Sequence, residues 1–434
     1  MKILYGICGE GMGHATRSQV VLQHLRSRGH EVLVAASGQA LHVLQRTSGV
    51  PASAKRESEA QVSGSVLRSG SSSRAAAVEH PPSAAAALAD FNDRARVRAE
   101  REAREGGESL FSLLPIVGLG MRCKDGAMDL RGTIEENAQR LPAMLRENAA
   151  AWAEADRFQP DAAITDYDSF VWLFGVARGI PIVSIDNAQV LPRCVHREDA
   201  FPAYRAGMRA LEAFTVAKTP SAQHYVVTSF FYPPVKPHLR QTTTLVPPIL
   251  RGEVLRKLDE REKTNASLAA NAAPVHGTFV VVYKTGSLDD ASVLGPLARV
   301  PEQRFLVYGL RGDTPVPDNV IAKPFSTDAF LTDLAASRAV IGNAGMSLLG
   351  ETLAFGKPVY VIPVRGQFEQ VLNACYLEKL GYGITSETLD PNRLRAFLAT
   401  ADTYAANIAR VPQHDRNERL YGTLDALFPP NRGR

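Results

Sequence analysis

The stretch Val340–Gly383, VIGNAGMSLLGETLAFGKPVYVIPVRGQFEQVLNACYLEKLGYG, limits what this chain can fold into more than any other. A short apolar strand ends at Ile341 and runs into the turn Gly342-Asn343-Ala344-Gly345. The helix that follows carries apolar residues at Leu348, Leu349, Leu353 and Phe355, and Gly356-Lys357-Pro358 stops it. Val359–Ile362 reads as a buried strand, and a second helix runs from about Gln367 to Leu380. Strand, turn, helix, strand and helix in this order form one half of a parallel α/β sheet. The turn at Gly345, with Met346 and Ser347, leaves backbone N–H groups free at a helix N-terminus, where the dipole favours an anion such as a phosphate. Glu351 follows about one helical turn later. A phosphate would repel its carboxylate, whereas a vicinal diol would suit it, so the unit reads as a cradle for a nucleotide diphosphate with a ribose acceptor.

The chain opens on a similar unit. Lys2 to Cys8 is a strand, Gly9-Glu10-Gly11-Met12-Gly13-His14 a turn, Ala15 to Arg28 a helix and Glu31 to Ala36 the next strand. A dinucleotide fingerprint would want G-x-G-x-x-G and an acid closing the second strand. That strand ends Ala35-Ala36-Ser37, so a nicotinamide dinucleotide is not expected. At 434 residues the chain is too long for one ordinary domain. The expected organisation is an N-terminal Rossmann-like domain over 1–250, a linker over 251–275, a second Rossmann-like domain over 276–412, and a C-terminal helix over 413–434 that returns to the first domain. Residues 47–108, rich in Ser, Ala, Arg and Glu, read as a mobile insertion.

The Val340–Gly383 stretch resembles the donor-binding signature of GT-B glycosyltransferases, in the branch of the peptidoglycan N-acetylglucosaminyltransferase and the glycosyltransferase family 28 C-terminal domain. The resemblance rests on Gly342 and Gly345, Glu351, Gly356 and Pro358, Pro363, Glu369-Gln370 and Asn373-Ala374. It implies two Rossmann-like α/β domains facing a cleft, and an inverting transfer of a sugar from a nucleotide diphosphate, UDP first, to a hydroxyl. The nucleotide sugar is then a substrate, and no cofactor is implied. In this reading Gly345, Met346 and Ser347 hold the diphosphate, Glu351 the ribose, and Gln370 and Asn373 the sugar hydroxyls. Phe325 caps the base by resemblance, and Gly286 and Ser287 form a second phosphate contact. The turn Gly11–His14 resembles the first loop of the same enzymes, where donor and acceptor meet. His14 is its candidate base, with Asp166 as an orienting partner or a rival, and Glu10 as a third choice.

Asp166 and Asn187 fall just past strand ends, where open α/β sheets bind ligands. Arg193, His196 and Arg197 form a small basic cluster that reads equally as an acceptor-phosphate site or a solvated loop. Asp166-Tyr167-Asp168 looks like a metal-chelating D-x-D, but a metal-independent reaction is expected because the helix terminus supplies the anion binding. The net charge of +4 gives no argument for nucleic acid. Cys8, Cys123, Cys194 and Cys375 are scattered and read as reduced thiols of a cytoplasmic protein. No stretch reads as a signal peptide or a spanning helix. A lipid-linked acceptor and a peripheral contact with the inner membrane face stay open. A sugar-nucleotide 2-epimerase and an inactive nucleotide-sugar sensor are the other functional classes.

Overall fold

The structure, a computed structural model, describes residues 1–9, 11–47, 111–120, 122–124, 127–196, 205–267, 277–285, 288–312 and 314–430. The expected insertion over 47–108, apart from Thr47, lies outside the described residues, as do Glu10, Arg197, Gly286 and Ser287.

Short apolar runs pair in parallel into two sheets. In the first, β1 (Lys2–Ile7), β2 (Glu31–Ala36), β3 (Ser112–Pro115), β4 (Ala162–Asp166), β5 (Ile182–Asp186), β6 (His224–Thr228) and β7 (Thr243–Val246) lie in the order β3-β2-β1-β4-β5-β6-β7. In the second, β8 (Phe279–Tyr283), β9 (Arg304–Tyr308), β10 (Val320–Lys323), β11 (Ala339–Gly342), β12 (Val359–Val361) and β13 (Gly383–Thr385) lie in the order β10-β9-β8-β11-β12-β13. Strands covered on both faces must be apolar along their whole length. Ile3–Ile7, Val32–Ala36 and Ala339–Gly342 are buried throughout. In each sheet the strand order reverses beside the first strand of the domain, and the crevice at that switch point is where such sheets bind ligands. In the first domain it lies between the ends of β1 and β4, where Ile7 pairs with Asp166. In the second it lies between β8 and β11.

The helices used below are α1 (Met12–Ser27), α2 (Ser169–Arg178), α3 (Gly252–Ser267), α4 (Thr327–Ala336), α5 (Met346–Ala354), α6 (Phe368–Lys379) and α7 (Glu418–Leu427). Much of the polar stretch between the sheets is not open linker but α3, which packs on the second domain: Arg261 donates to the Phe355 carbonyl (2.6 Å), and Lys257 pairs with Asp328 on α4 (3.1 Å). In the helical region before β4, Pro142 sits inside the helix Leu130–Glu147 and does not break it. The region breaks at Asn148, whose amide bonds both backbone groups of Val117 (2.8 and 2.9 Å).

The end of the chain crosses back to the first domain. Leu420, Leu424 and Phe428 join the core of Ile3, Val34 and Ala162. Asn417, in the left-handed region (φ 67°), bonds both backbone groups of Leu250 (2.9 and 2.7 Å). A further contact between the domains is aromatic: Phe231 stacks on Tyr376 of α6 at 3.9 Å. Among the described residues no helix is long and apolar enough to cross a membrane.

Candidate active site

Gly11 stands before α1 with φ 89°, a backbone state that favours glycine, and it faces open space. It turns the chain so that α1 starts at once, with no side-chain cap on its first N–H groups. His14 lies in that first turn, its side chain 21% exposed. The β1–β4 pairing sets Asp166 beneath it, and the His14 Nδ1 is 2.7 Å from Asp166 Oδ1.

Asp166 is fully buried and surrounded by donors. Oδ1 accepts from Arg17 Nη2 and faces His14, while Oδ2 accepts from Arg17 Nε (2.8 Å) and Ser18 Oγ (3.0 Å). The Ser18 hydroxyl in turn accepts from Tyr5 (3.0 Å). Burial alone would push the Asp166 carboxyl up, but the charges of Arg17 and then His14 hold it well below the usual carboxylate range. A carboxylate so occupied and so hidden orients a histidine and cannot itself reach an acceptor hydroxyl. This removes Asp166 as the rival base. Among the described residues the His14 Nε2 carries no partner. In the tautomer that donates Nδ1–H to Asp166, Nε2 is a proton acceptor.

The N-terminus of α5 lies opposite. Gly345 caps it without a side-chain bond, so the amides of the first turn, including Met346 and Ser347, remain for a ligand. Asn343 fixes the turn, accepting from Thr285 Oγ1 (2.5 Å) and donating to the Ile362 carbonyl (2.7 Å). Ser347 reaches Gly13: a Cβ on that glycine would stand 2.7 Å from the Ser347 hydroxyl. The two helix N-termini therefore converge on one place. Glu369, at the start of α6, faces the same place. Burial raises its carboxyl, while Arg17 and His14 pull it down. Phe325, half exposed, stands beside Tyr283 at the rim (6.2 Å between ring centres).

Other expected ligand groups are engaged elsewhere. Glu351 is buried against Arg251, whose Nη2 donates to Oε2 (2.9 Å) and whose Nε lies 2.7 Å from Oε1. The carboxylate expected at the ribose is half of an ion pair. Gln370 spends its amide on the preceding loop, accepting from Val364 N–H (3.0 Å) and donating to Gln367 (2.6 Å). Asn373, fully buried, donates to the Ala344 carbonyl (3.0 Å) and so shapes the glycine turn; only its buried Oδ1 lacks a partner. Both amides position the cradle rather than project into it.

On the acceptor side Asn187 is buried and donates to the Thr228 carbonyl (2.7 Å), bracing β5 against β6. Arg193 is buried over the Tyr225 ring (3.7 Å) and bonds Thr243 and Thr242 (2.7 Å each). His196 links the Val190 carbonyl (2.9 Å) to the Tyr376 hydroxyl (3.0 Å). All three are engaged within the fold, and of the Asn187 side chain only the buried Oδ1 lacks a partner among the described residues. The D-x-D pair also separates. Tyr167 (φ 56°) reverses the chain, and Asp168 caps α2 by accepting from Val171 N–H (2.9 Å). Among the described residues no group of three or more metal-ligating side chains forms a site.

Sequence reasoning passed over Arg17 and gave Glu369 no role. The signal for Arg17 was its place three residues after His14, on the same helix face.

The sequence matches the profile of glycosyl transferase family 1 over residues 1–55 and 86–401. The chain belongs to this family. A curated relative, the UDP-N-acetylglucosamine--N-acetylmuramyl-(pentapeptide) pyrophosphoryl-undecaprenol N-acetylglucosamine transferase of Methylobacterium radiotolerans, is 32% identical over 130 residues. That match covers 27% of this chain and 33% of the relative, so the chain spans about a third of that relative's length. Among solved structures, Phytolacca americana UGT2 complexed with UDP-2fluoro-glucose and pterostilbene superposes with a TM-score of 0.58 at 14% identity over 98% of each chain. The glycosyltransferase VinC in complex with dTDP does so with a TM-score of 0.53 at 14% identity over 100% of each. These likenesses show the fold, two Rossmann-like domains of the GT-B kind, and the family makes the chain a glycosyltransferase.

Proposed function

We propose that this glycosyltransferase moves a sugar from a nucleotide diphosphate, UDP in first place, to an acceptor hydroxyl with inversion at the anomeric carbon. One observation carries the reading: His14, held through Nδ1 at Asp166 and with Nε2 unpartnered among the described residues, stands beside Gly13 where α1 meets Ser347 at the uncapped N-terminus of α5. Nε2 takes the acceptor proton as the acceptor oxygen bonds to the anomeric carbon. The bond from that carbon to the diphosphate oxygen breaks on the opposite face. The charge gained by the leaving diphosphate falls on the amides of Gly345–Ser347 and the dipole of α5. Glu369 is the carboxylate available to accept hydrogen bonds from the sugar. Glu351, charge-balanced by Arg251, keeps lone pairs for the ribose diol.

The reaction is proposed to need no divalent metal, because the helix terminus binds the anion and the Asp166 oxygens are already taken by donors. The test is a panel of UDP-, dTDP- and GDP-sugars, read first by thermal shift and then by transfer to hydroxyl acceptors with and without EDTA. A UDP-sugar should raise the melting temperature, since ligands of the native state stabilise it. The reading fails if no nucleotide sugar binds, or if activity is abolished by EDTA and restored by manganese.

A further inference from the structure

We propose that Arg17 is a positioning residue that fixes Asp166 as a carboxylate and thereby decides which ring nitrogen of His14 is left bare toward the cleft. Its activity readout rests on the transfer chemistry above; its structural readout does not.

Arg17 lies one turn after His14 on α1 and is buried. It donates through Nε to Asp166 Oδ2 (2.8 Å) and through Nη2 to Oδ1. The same Nη2 is 2.8 Å from the His14 Nδ1, which is itself 2.7 Å from Asp166 Oδ1. Nδ1 therefore sits between a carboxylate oxygen and a guanidinium, and one proton decides its role. While Asp166 is ionised it can only accept, so Nδ1 carries the proton and Nε2 is bare. Were Asp166 protonated, it would donate to Nδ1. The histidine proton would then sit on Nε2, and the ring would lose its function as a base.

What keeps Asp166 ionised is the cation. Burial favours its neutral form, and three acids lie close enough to feel its charge, Asp168 beyond β4, Asp186 at the end of β5 and Glu369 on α6, each of whose carboxyls Asp166 pushes up. Tyr5 on β1 is hydrogen-bonded to Ser18, which donates to Asp166, and its hydroxyl also feels the Asp166 charge directly. Against these stand Arg17 first and His14 second. Without Arg17 the balance tips toward the acid, within a pH range where the protein can be assayed.

The test uses full-length protein with ¹⁵N-labelled histidine, comparing the parent with Arg17→Met, Arg17→Gln and Arg17→Lys, and with His14→Gln to assign the resonance. The parent should show His14 protonated on Nδ1, with turnover lacking an acid limb attributable to Asp166. Arg17→Met should show the proton on Nε2 and a kcat that falls about tenfold per pH unit below a new midpoint, with UDP binding little changed. Arg17→Gln keeps a hydrogen-bond donor and loses the charge, so it should behave like Arg17→Met and serves if the methionine variant does not fold. Arg17→Lys should restore the parent tautomer and profile. A ring still protonated on Nδ1 and an unmoved pH profile in both neutral variants would overturn the proposal. If the tautomer changes as expected but the parent transfers no sugar from any nucleotide donor, the positioning role stands and the transfer reading falls.

Discussion

Gly13 of α1 and Ser347 of α5 touch across the cleft, so closely that a methyl on the glycine would stand 2.7 Å from the serine hydroxyl. Gly13 has no left-handed backbone, so alanine fits its conformation. In a helix alanine is favoured over glycine by about 0.5–1 kcal/mol. Gly13→Ala should therefore keep or raise the melting temperature while lowering kcat/KM, because Ser347 must turn aside or the domains must part. Unchanged kcat/KM would mean that the contact has no part in the working geometry.

His14→Ala should lower kcat by about 10²–10⁴-fold with UDP binding nearly unchanged. Asp166→Asn should behave differently. It strands the buried guanidinium of Arg17, and breaking a buried ion pair costs about 3–5 kcal/mol. Melting curves and single-turnover transfer for both variants separate the roles. A His14→Ala enzyme with native turnover would remove the histidine as base.

Glu351→Ala should weaken UDP binding by about 1.5–3 kcal/mol through the lost diol contact. It should also lower stability, because Arg251 is left without its partner. Glu351→Gln keeps an acceptor beside Arg251 and should lie between the parent and the alanine variant in both respects. UDP titrations by calorimetry decide it: the same affinity in all three proteins would end the ribose assignment.

Asp168 gives the protein a pH-dependent weakness. Burial pushes its carboxyl up to about 6, and the amide of Val171 and the charge of Lys218 offset this only in part. The folded state thus holds this proton between about pH 4 and pH 6, where the unfolded chain has released it. Stability from this group is present below pH 4 and is lost as pH rises through 6, by about 3 kcal/mol. Asparagine caps helices as well as aspartate does. Asp168→Asn should therefore raise the melting temperature at pH 7 and change it little at pH 4. An equal shift at both pH values would contradict the assignment.

Local geometry was legible in the sequence. A glycine turn between a buried strand and a helix leaves its amides free wherever it occurs, so Gly345–Ser347 and Gly11–His14 could be recognised as the two helix ends that face the site. Apolar runs likewise marked strands such as Lys2–Ile7, Glu31–Ala36 and Val359–Val361, since burial on both faces leaves a parallel strand little choice of residue, whereas the short edge strand Gly383–Thr385 carried no such signal. What the sequence could not show is how side chains pair across the fold. Arg17 meets Asp166 over 149 residues, and Arg251 meets Glu351 over 100. Gln370 and Asn373 bond to groups of the protein because amides near a tight turn find partners there, the Val364 N–H and Gln367 side chain for Gln370 and the Ala344 carbonyl for Asn373. Arg193 and His196 were absorbed into β-edge and interdomain contacts in the same way. Chain geometry fixed where the backbone amides point; only the tertiary structure decided which charges and amides were already neutralised, because that depends on desolvation by distant parts of the chain.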